Sequence, residues 1–486
     1  MMGLFFLITF NYNLLRAFKD SIVVTAPNSG AEAIPFIKVW AILPGALLLT
    51  LLFTRLANRF NREKVFYCMM SVFLVFFFIF TFVLYPLRDY LHPHQLADTL
   101  QTILPEGFKG LIAIFRNWTF TLFYVMCELW SSAIMTVLFW GFMNEVFSVG
   151  EAKRYYGLLM IGANCSSILA GQFSVWLSGL GFLPAVAYGT TQWEQSILFL
   201  NCTILVCGVA AVAIFRWLNA NVIGPEEKLQ PEQPEKIKIS MRQNFSYLLK
   251  SKYLLCMAAI VLTYNISINL VEVVWKNQIL ALYPSPTDFQ AYMGKVTTVI
   301  GIVATFASVF ITGNIIRKFS WTTSAMISPA IMLITGVGFF AFVLFQGSLG
   351  GLSALMGFSP IAFGLLLGSL QNVFTRASKY TFFDATKEIA FIPLSPESKL
   401  KGKAAIDGVG SRLGKSGGSV IHQGLLLLFA TVSASTPYVA IIFLGIVAVW
   451  VLAVVSLGKQ FDRLVETKEK IDIPESVEPV LAKEST

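Results

Sequence analysis

Residues 65–87, VFYCMMSVFLVFFFIFTFVLYPL, contain no charged side chain and lie between Lys64 and Arg88. In an α-helix, about 20 apolar residues are long enough to cross the hydrocarbon core of a bilayer. A helix that is apolar on every side has no polar face to present to water. This stretch therefore predicts a membrane-spanning helix.

The composition of the whole chain extends this prediction. Of the 486 residues, 56% are hydrophobic and only 13% are charged, whereas a soluble domain carries about 25% charged residues. A single soluble core stops growing beyond roughly 250–300 residues, so it could not absorb this much apolar surface. The composition therefore excludes a soluble enzyme and predicts an all-α membrane protein.

Charge-free runs divide the chain into predicted spans. The runs 319–375 and 416–458 are each long enough for two spans, with breaks expected at Gln346-Gly-Ser-Leu-Gly-Gly351 and Ser433-Ala-Ser-Thr-Pro-Tyr438. Twelve transmembrane helices are predicted, at residues 1–22, 34–56, 65–87, 117–144, 155–182, 195–217, 250–275, 292–316, 320–346, 353–380, 404–432 and 434–458.

The distribution of basic residues predicts the orientation. Most of the 36 lysines and arginines lie in loops after even-numbered spans or in the C-terminal tail, and basic loops stay on the cytoplasmic side. Both termini are therefore expected in the cytoplasm, and the net charge of +9 reflects topology rather than a nucleic-acid partner. No cleavable signal peptide is expected, because residues 1–15 lead directly into Arg16 and Lys19 without a small-residue cleavage site.

The polar stretch 219–251, with three prolines and many Glu and Lys residues, predicts a cytoplasmic linker. The sequences on its two sides repeat weakly, since Thr9-Phe-Asn-Tyr-Asn13 resembles Thr263-Tyr-Asn-Ile-Ser267. Two pseudo-symmetric halves predict a major-facilitator-like transporter, a monomer that holds its substrate between the halves and works by alternating access. The predicted domains are an N-terminal six-helix half at 1–218, the linker, a C-terminal six-helix half at 252–458 and a cytoplasmic tail at 459–486.

Charged residues inside the predicted spans are candidates for function, because a charge at the bilayer centre costs at least about 2.5 kcal/mol. Cations outnumber acids among them, which predicts a cavity for an anionic, phosphorylated substrate. Arg16 and Asp20 lie one turn apart and are expected to neutralise each other, which leaves Lys19 as a free cation. The charged candidates are Arg16, Lys19, Asp20, Glu128, Glu272, Lys276, Arg376, Lys379, Arg412 and Lys415.

A structural explanation competes with the functional one at each of these positions. Buried ion pairs can fix helix register, and long side chains near helix ends can reach the membrane interface. For Lys276, Arg376 and Lys379 both interpretations stay open. A functional role is favoured for Lys19, Lys415 and Glu128, and Glu128 lies too deep in its span to reach the interface.

The sequence carries no motif for other kinds of chemistry. Gly414-Lys-Ser416 resembles the end of a P-loop, but neither Gly410 nor Gly408 has the spacing that this motif requires, and the context is an apolar helix. Gly410, Gly414 and Gly418 instead predict a helix face of small residues for close packing. The histidines and cysteines match no metal-ligand or disulfide spacing, so no metal, cofactor or catalytic site is expected.

Residues 11–38, NYNLLRAFKDSIVVTAPNSGAEAIPFIK, resemble the signature of the ATP/ADP translocases, the non-mitochondrial nucleotide transporter family. Glu128-Leu-Trp130, residues 266–276 and Gly414-Lys-Ser-Gly-Gly418 are similar to further motifs of that family, and the likeness runs from about residue 5 to 460. The family occurs in plastids and in obligate intracellular bacteria such as chlamydiae and rickettsiae. We expect the inner membrane of an intracellular bacterium, because no transit peptide is apparent.

The resemblance implies an antiporter that exchanges ATP for ADP, with the family's charged substrate residues at Lys19, Glu128, Glu272 and Lys415. Lys19 and Lys415, one from each half, are expected to contact phosphate groups. Glu128 and Glu272 are expected to keep these lysines charged in the empty site, or to hydrogen-bond the nucleoside. An empty carrier could then not reorient, because uncompensated cations in a dry cavity would first need a nucleotide to neutralise them.

Amide and aromatic side chains are the candidates for recognition of the base. Asn11 and Asn265, with the nearby Tyr12, Tyr264 and Trp275, are expected to contact adenine by hydrogen bonding and stacking, although such residues more often pack in a core. The remaining charged candidates complete the expected substrate site, namely Arg16, Lys276, Arg376, Lys379 and Arg412.

Three other functions stay open at this stage, of which a membrane enzyme is the least favoured because the sequence lacks a catalytic set of residues. A proton-coupled importer of nucleoside triphosphates from the same family would use Glu128 or Glu272 to carry protons, and its uptake would collapse with the proton gradient. A membrane receptor or assembly subunit would have no reason for surplus cations in several spans and would not be stabilised by nucleotides. Base selectivity and the transport of phosphate together with ADP also stay open.

Overall fold

The computed structural model describes residues 1–146, 149–221, 251–403, 406 and 410–467, and these residues are organised as a bundle of long α-helices. The long helices, in chain order, are α1 (Met2–Val24), α2 (Ala33–Arg59), α3 (Arg62–Leu84), α4 (Trp118–Met143), α5 (Val149–Gly179), α6 (Gln192–Asn221), α7 (Lys252–Leu282), α8 (Pro286–Lys318), α9 (Trp321–Leu344), α10 (Pro360–Ala390), α11 (Ser411–Phe429) and α12 (Val432–Thr467). Shorter helices are Arg88–Leu91, His94–Ile103, Lys109–Arg116, Gln346–Leu355 and Pro396–Lys403.

Membrane-spanning character is clearest in the most apolar of these helices. Within the described residues, 8 helices are long and apolar enough to cross a bilayer, namely α2, α3, α4, α6, α7, α8, α9 and α12. Helix α10, together with Gln346–Leu355, would bring the number to 9. The prediction of an all-α membrane protein is thus confirmed, with 8 to 9 candidate spans in the described residues. Helices α1, α5 and α11 fall outside this apolar class, and their crossing of the membrane stays a prediction.

The expected start of the tenth span is wrong. The sequence interval 346–351 was expected to be a break, yet Gln346–Leu355 is helical, and the chain bends by 86° before α10 begins. Gly357 has φ +75°, a conformation that favours glycine. Ser359 then caps α10 by accepting a hydrogen bond from the Ala362 amide, and Pro360 takes the first helical position, where a proline is tolerated.

The expected break between the eleventh and twelfth spans is also misplaced. Ser433–Tyr438 lies inside α12, and the chain turns instead at Ala430, which has φ +63°. Pro437 is tolerated because it lies near the start of the helix, where few backbone hydrogen bonds are lost.

Helices α1 and α7 lie at the centre of the bundle and have corresponding neighbours. Helix α1 packs against α4, α5 and α6, and helix α7 packs against α10, α11 and α12. Aromatic side chains fill the interfaces: Phe18 contacts Phe123 edge-on at 5.3 Å, and Tyr264 lies edge-on to Trp450 at 5.7 Å. This packing brings the charged segments of α1 and α7 into the interior.

The linker expected at 219–251 lies almost wholly outside the described residues, as does most of the expected tail. Residues 222–250 and 468–486 are not among those described. Helix α12 continues to Thr467, so the first part of the stretch 459–486 is helical.

Small residues allow α5 and α8 to pack with their backbones close together. A Cβ atom added at Gly171 of α5 would lie 2.5 Å from the Gly294 carbonyl oxygen of α8, and one at Gly301 of α8 would lie 3.0 Å from the Asn164 carbonyl oxygen. Glycine is needed here because backbone atoms cannot move aside as side chains can.

We predict that Gly171→Ala destabilises the purified protein. The added methyl group meets backbone of α8, and overpacking of this kind costs about 1–3 kcal/mol. Thermal unfolding in detergent should show a lower midpoint for this variant. Gly179→Ala on the same helix is the control, since no heavy atom lies within 4 Å of its added Cβ. Equal shifts in the two variants would contradict the proposed packing.

Candidate functional site

A connected set of charged side chains crosses the centre of the bundle. It joins α1, α2 and α4 to α7 and α10, and it contains four cations and three acids. We call it the ion network; its members are Lys19, Asp20, Lys38, Glu128, Glu272, Lys276 and Arg376.

Glu272 of α7 is the most connected member of the ion network. Its Oε1 lies 2.9 Å from Lys276 Nζ and 3.0 Å from Arg376 Nη2, and its Oε2 lies 3.6 Å from Lys38 Nζ. Lys38 also donates a hydrogen bond to the Asn269 side chain. One carboxylate therefore holds cations from α2, α7 and α10 at a single point.

Asp20 connects Lys276, a partner of Glu272, to helix α1. Its Oδ2 lies 2.7 Å from Lys276 Nζ and its Oδ1 lies 3.4 Å from Lys19 Nζ. The expected pairing of Arg16 with Asp20 is therefore wrong, and Lys19 is not a free cation. The reason is tertiary: the Lys276 side chain is only 1% exposed and needs a carboxylate more than the half-buried Arg16 does.

Glu128 of α4 is the acid of the ion network most open to solvent. Its Oε2 lies 3.3 Å from Lys19 Nζ, yet its side chain is 29% exposed while that of Lys19 is 7% exposed. The ammonium of Lys19 also lies 3.8 Å from the centroid of the Tyr124 ring, which gives it a cation–π contact. Lys415 of α11 is exposed and acts electrostatically on Glu128 without a direct ion pair. Of the four residues expected from the sequence to act together, Lys19 and Glu128 are thus in direct contact, and Lys415 influences Glu128 without touching it.

Further cations surround the ion network. Arg16 of α1 lies near Tyr12 and near Tyr380 of α10. Arg412 is exposed on α11, one turn before Lys415. Within the described part of the chain, neither Arg16 nor Lys415 forms an ion pair, so their charges are available to an anion.

Lys379 differs from the other expected cations. Its Nζ lies 3.0 Å from Asp384 Oδ2 on the same helix, and 4.9 Å from the centroid of the Tyr380 ring. An intrahelical partner already neutralises it, so it contributes less to the positive charge of the site than Arg376 does.

Asn11 and Asn265 are placed at helix contacts. Asn11 is fully buried and donates a hydrogen bond of 2.9 Å to the Ile204 carbonyl of α6. Asn265 is 7% exposed and donates to the Val261 carbonyl of its own helix, close to the backbone of α11 at Gly414. A role of either residue in base binding stays a prediction, and its position favours packing.

The three aromatic candidates for base recognition differ in burial. Tyr264 is buried against Phe383, and Trp275 is buried and donates a hydrogen bond of 3.0 Å to the Ser369 hydroxyl. Tyr12 is partly exposed and has Tyr380 of α10 as an electrostatic neighbour. Tyr12 is therefore the better placed of the three to stack against a base.

Irregular helical turns accompany three of the charged positions. Lys38 lies within the π-helical stretch Ile37–Ile42, and the π-helical stretches Ser131–Phe139 and Lys379–Phe383 begin about one turn after Glu128 and Arg376. Such turns are frequently found at functional sites, because the extra residue redirects side chains.

The sequence interpretation missed Lys38 although the signal was present. Lys38 lies inside the span predicted at 34–56, so the cost of a charge in the membrane applied to it as to the others. The predicted seventh span ended at residue 275, whereas α7 continues to Leu282. Lys276 therefore lies within the helix rather than at its end, where its side chain could have reached the interface.

The loop histidines form no part of this site. His92 is mostly buried beside Thr119, with its Nε2 at 2.7 Å from the Thr119 hydroxyl, and burial lowers the pKa of His92 to about 4. Among the described residues, no group of three or more His, Cys, Asp or Glu side chains is placed to hold a metal ion.

Comparison with known proteins identifies the family. The family model described as TLC ATP/ADP transporter matches residues 1–461. ADP,ATP carrier protein 1 of Chlamydia pneumoniae is 45% identical over 464 residues, which cover 94% of this chain and 90% of that protein. The chloroplastic ADP,ATP carrier protein 1 of Arabidopsis thaliana is 42% identical over 466 residues, covering 96% and 74%. The chain belongs to the TLC ATP/ADP transporter family, and the resemblance inferred from residues 11–38 is confirmed.

Two solved structures are similar in fold. One is a bacterial homologue of the iron transporter ferroportin in an inward-facing state, with TM-score 0.58 and 13% identity over 94% of this chain and 97% of that chain. The other is a bacterial metal transporter, with TM-score 0.51 and 13% identity over 95% and 97%. The TM-scores indicate a shared fold, and identities this low carry no information about the substrate.

We predict that Glu272→Gln destabilises the protein more than Glu128→Gln does. Loss of the Glu272 charge removes a partner from three buried cations, and breaking a buried ion pair from one side costs about 3–5 kcal/mol. Loss of the Glu128 charge leaves Lys19 paired with Asp20. Thermal unfolding midpoints of the two variants in detergent measure the difference.

The double variant Glu272→Gln/Lys38→Met is the internal check. It removes one of the cations that Glu272→Gln leaves unpaired, so it should recover part of the lost stability. A double variant no more stable than Glu272→Gln alone would argue against the assigned partners.

Proposed function

We propose that this chain is a secondary antiporter that exchanges ATP for ADP by alternating access. The observation that carries the proposal is the ion network, in which charged side chains of α1, α2 and α4 meet those of α7 and α10 beside additional cations. Family membership, and relatives named as ADP,ATP carriers, support the same substrates. An excess of lysine and arginine suits the phosphate groups of a nucleotide.

The proposed architecture is a major-facilitator-like bundle of twelve transmembrane helices in two six-helix halves. Helices α1, α5 and α11 count as spans in this proposal, because polar and charged residues are tolerated where a helix faces the interior of a bundle. The corresponding neighbours of α1 and α7 support a repeat of the first half in the second. We further propose that both termini face the cytoplasm, that the inner membrane of an intracellular bacterium contains the protein, and that it works as a monomer.

Lys19 and Lys415 are assigned to the phosphate groups in this proposal. Lys19 contacts two carboxylates, at 3.4 Å from Asp20 and 3.3 Å from Glu128, so a phosphate can replace one of them without leaving the ammonium unpaired. Lys415 has no ion pair in the described residues and lies near Glu128.

Exchange of ATP for ADP moves about one net charge, which is worth about 2.3 kcal/mol per 100 mV of membrane potential. The potential can therefore bias the direction of exchange. Phosphate that moves with ADP as the monoanion would balance the charge of ATP.

A proton-coupled importer of nucleoside triphosphates is the second candidate. The partial exposure of Glu128 favours it, because an accessible carboxylate within a bundle can take up a proton. The ion pair of Glu128 with Lys19 opposes it, because a nearby cation keeps a carboxylate ionised.

Uptake of labelled ATP into proteoliposomes distinguishes the two candidates. We expect uptake into vesicles preloaded with ADP, little uptake into empty vesicles, and no loss of exchange when a protonophore is added. Uptake into empty vesicles that disappears with the protonophore would establish the importer instead. Absence of uptake for every nucleotide tested would exclude both.

We predict that Lys415→Ala lowers ATP/ADP exchange by about tenfold or more. A hydrogen bond to a charged group contributes about 1.5–3 kcal/mol, and about 1.4 kcal/mol corresponds to a factor of ten. Lys109→Ala is the matched control, because Lys109 is 43% exposed and pairs at 2.9 Å with Glu32 away from the ion network. Equal exchange rates in the two variants would remove Lys415 from the substrate site.

A further inference from the structure

We propose that Asp20 and Lys38 are positioning residues that hold the outer end of the empty carrier closed, an inference that rests on the exchange function proposed above. Each forms an ion pair from the first half of the chain to α7. Asp20 Oδ2 lies 2.7 Å from Lys276 Nζ, and Lys38 Nζ lies 3.6 Å from Glu272 Oε2. We call these two pairs the outer lock.

The outer lock is shielded from water. The Asp20 and Lys276 side chains are 2% and 1% exposed, and those of Lys38 and Glu272 are each 14% exposed. Buried ion pairs resist separation, because each charge would lose its partner before water could replace it.

Other contacts between the halves lie at the same end of the bundle. Next to Asp20, the Ser21 hydroxyl donates a hydrogen bond of 2.6 Å to Gln290 of α8. Near Lys38, Gln423 of α11 donates one of 2.9 Å to the Pro35 carbonyl. These residues lie at the end of α1, the starts of α2 and α8, and the end of α11, which is the outer end if both termini are cytoplasmic.

The opposite end is packed differently. The segments Leu43–Arg59 of α2, and Ala307–Thr312 and Gly313–Lys318 of α8, contain no buried residue. Contacts between the halves therefore lie at the outer end and, where α5 packs against α8, extend to the middle of the bundle. Opening the outer end requires the outer lock to separate.

A phosphate group can supply the negative charge that Lys38 loses when the outer lock separates. When α7 moves away, Glu272 keeps Lys276 and Arg376, but Lys38 loses its carboxylate. An anion bound between the halves replaces that carboxylate, whereas an empty carrier leaves Lys38 unpaired. The outer lock thus makes opening depend on a bound nucleotide.

Two substitutions each remove one pair of the outer lock without creating an unpaired charge. In Lys38→Met, Glu272 keeps its other two cations. In Asp20→Asn, Lys276 keeps Glu272 and Lys19 keeps Glu128. Lys38→Arg retains the charge and serves as the conservative variant, and Lys109→Ala removes a surface ion pair as the matched control.

Thiol labelling measures the state of the outer end directly. Ser21→Cys, at a position that is fully buried beside Gln290, is placed in a background whose six native cysteines are replaced by serine or alanine. In purified protein without nucleotide, we expect labelling by a water-soluble maleimide to be at least about fivefold faster in Lys38→Met and Asp20→Asn than in the parent. The Lys38→Arg and Lys109→Ala variants should label at the parental rate.

Transport provides the second readout. Uptake of labelled ATP into vesicles that contain no nucleotide should rise several-fold in the Lys38→Met and Asp20→Asn variants, because the empty carrier can then reorient. Parental labelling and parental empty-vesicle uptake in both variants would overturn the outer lock and leave the exchange function intact. Faster labelling in a protein that exchanges no nucleotide would keep the outer lock and reject the proposed function.

Discussion

The carboxylate of Glu272 is the interaction on which the rest of the site depends. It holds Lys276 of its own helix, Arg376 of α10 and Lys38 of α2, and through Lys276 it is joined to Asp20 of α1. Without it, cations from three helices would face one another in a region of low dielectric, where their repulsion is strong. Glu272, together with Asp20, reduces this repulsion where α1 and α2 pack against α7.

The helices could be predicted from the sequence because the cost of burying polar groups in lipid acts on every residue of a span. Charge-free runs such as 65–87 therefore marked long helices correctly. The breaks between helices were harder to predict from the sequence, because they depend on single residues. Pro437 suggested an end where the helix continues, whereas the turns lie at Ala430 and Gly357, which have positive φ angles.

The charged positions of the site could also be predicted, but their pairing could not. Membrane cost identified Lys19, Glu128 and Glu272 without any knowledge of the fold. The helical spacing of Arg16 and Asp20 suggested a local pair, and it failed because the better partner, Lys276, comes from a helix more than 250 residues away in the sequence. Spacing rules predict the pairs that form within an isolated helix. In the folded protein, tertiary contacts bring further carboxylates and cations together and determine which of them pair.

The pairing changes the physical explanation of obligatory exchange. The sequence suggested that bare cations in an empty cavity prevent reorientation, yet Lys19, Lys276 and Arg376 all have carboxylate partners. These paired cations do not by themselves oppose closure. Opposition to movement then arises where the partners belong to different halves of the proposed architecture, because those pairs must separate when the proposed halves move. Asp20 with Lys276 meets that condition, whereas Lys19 with Glu128 lies within one half and can remain paired throughout the cycle.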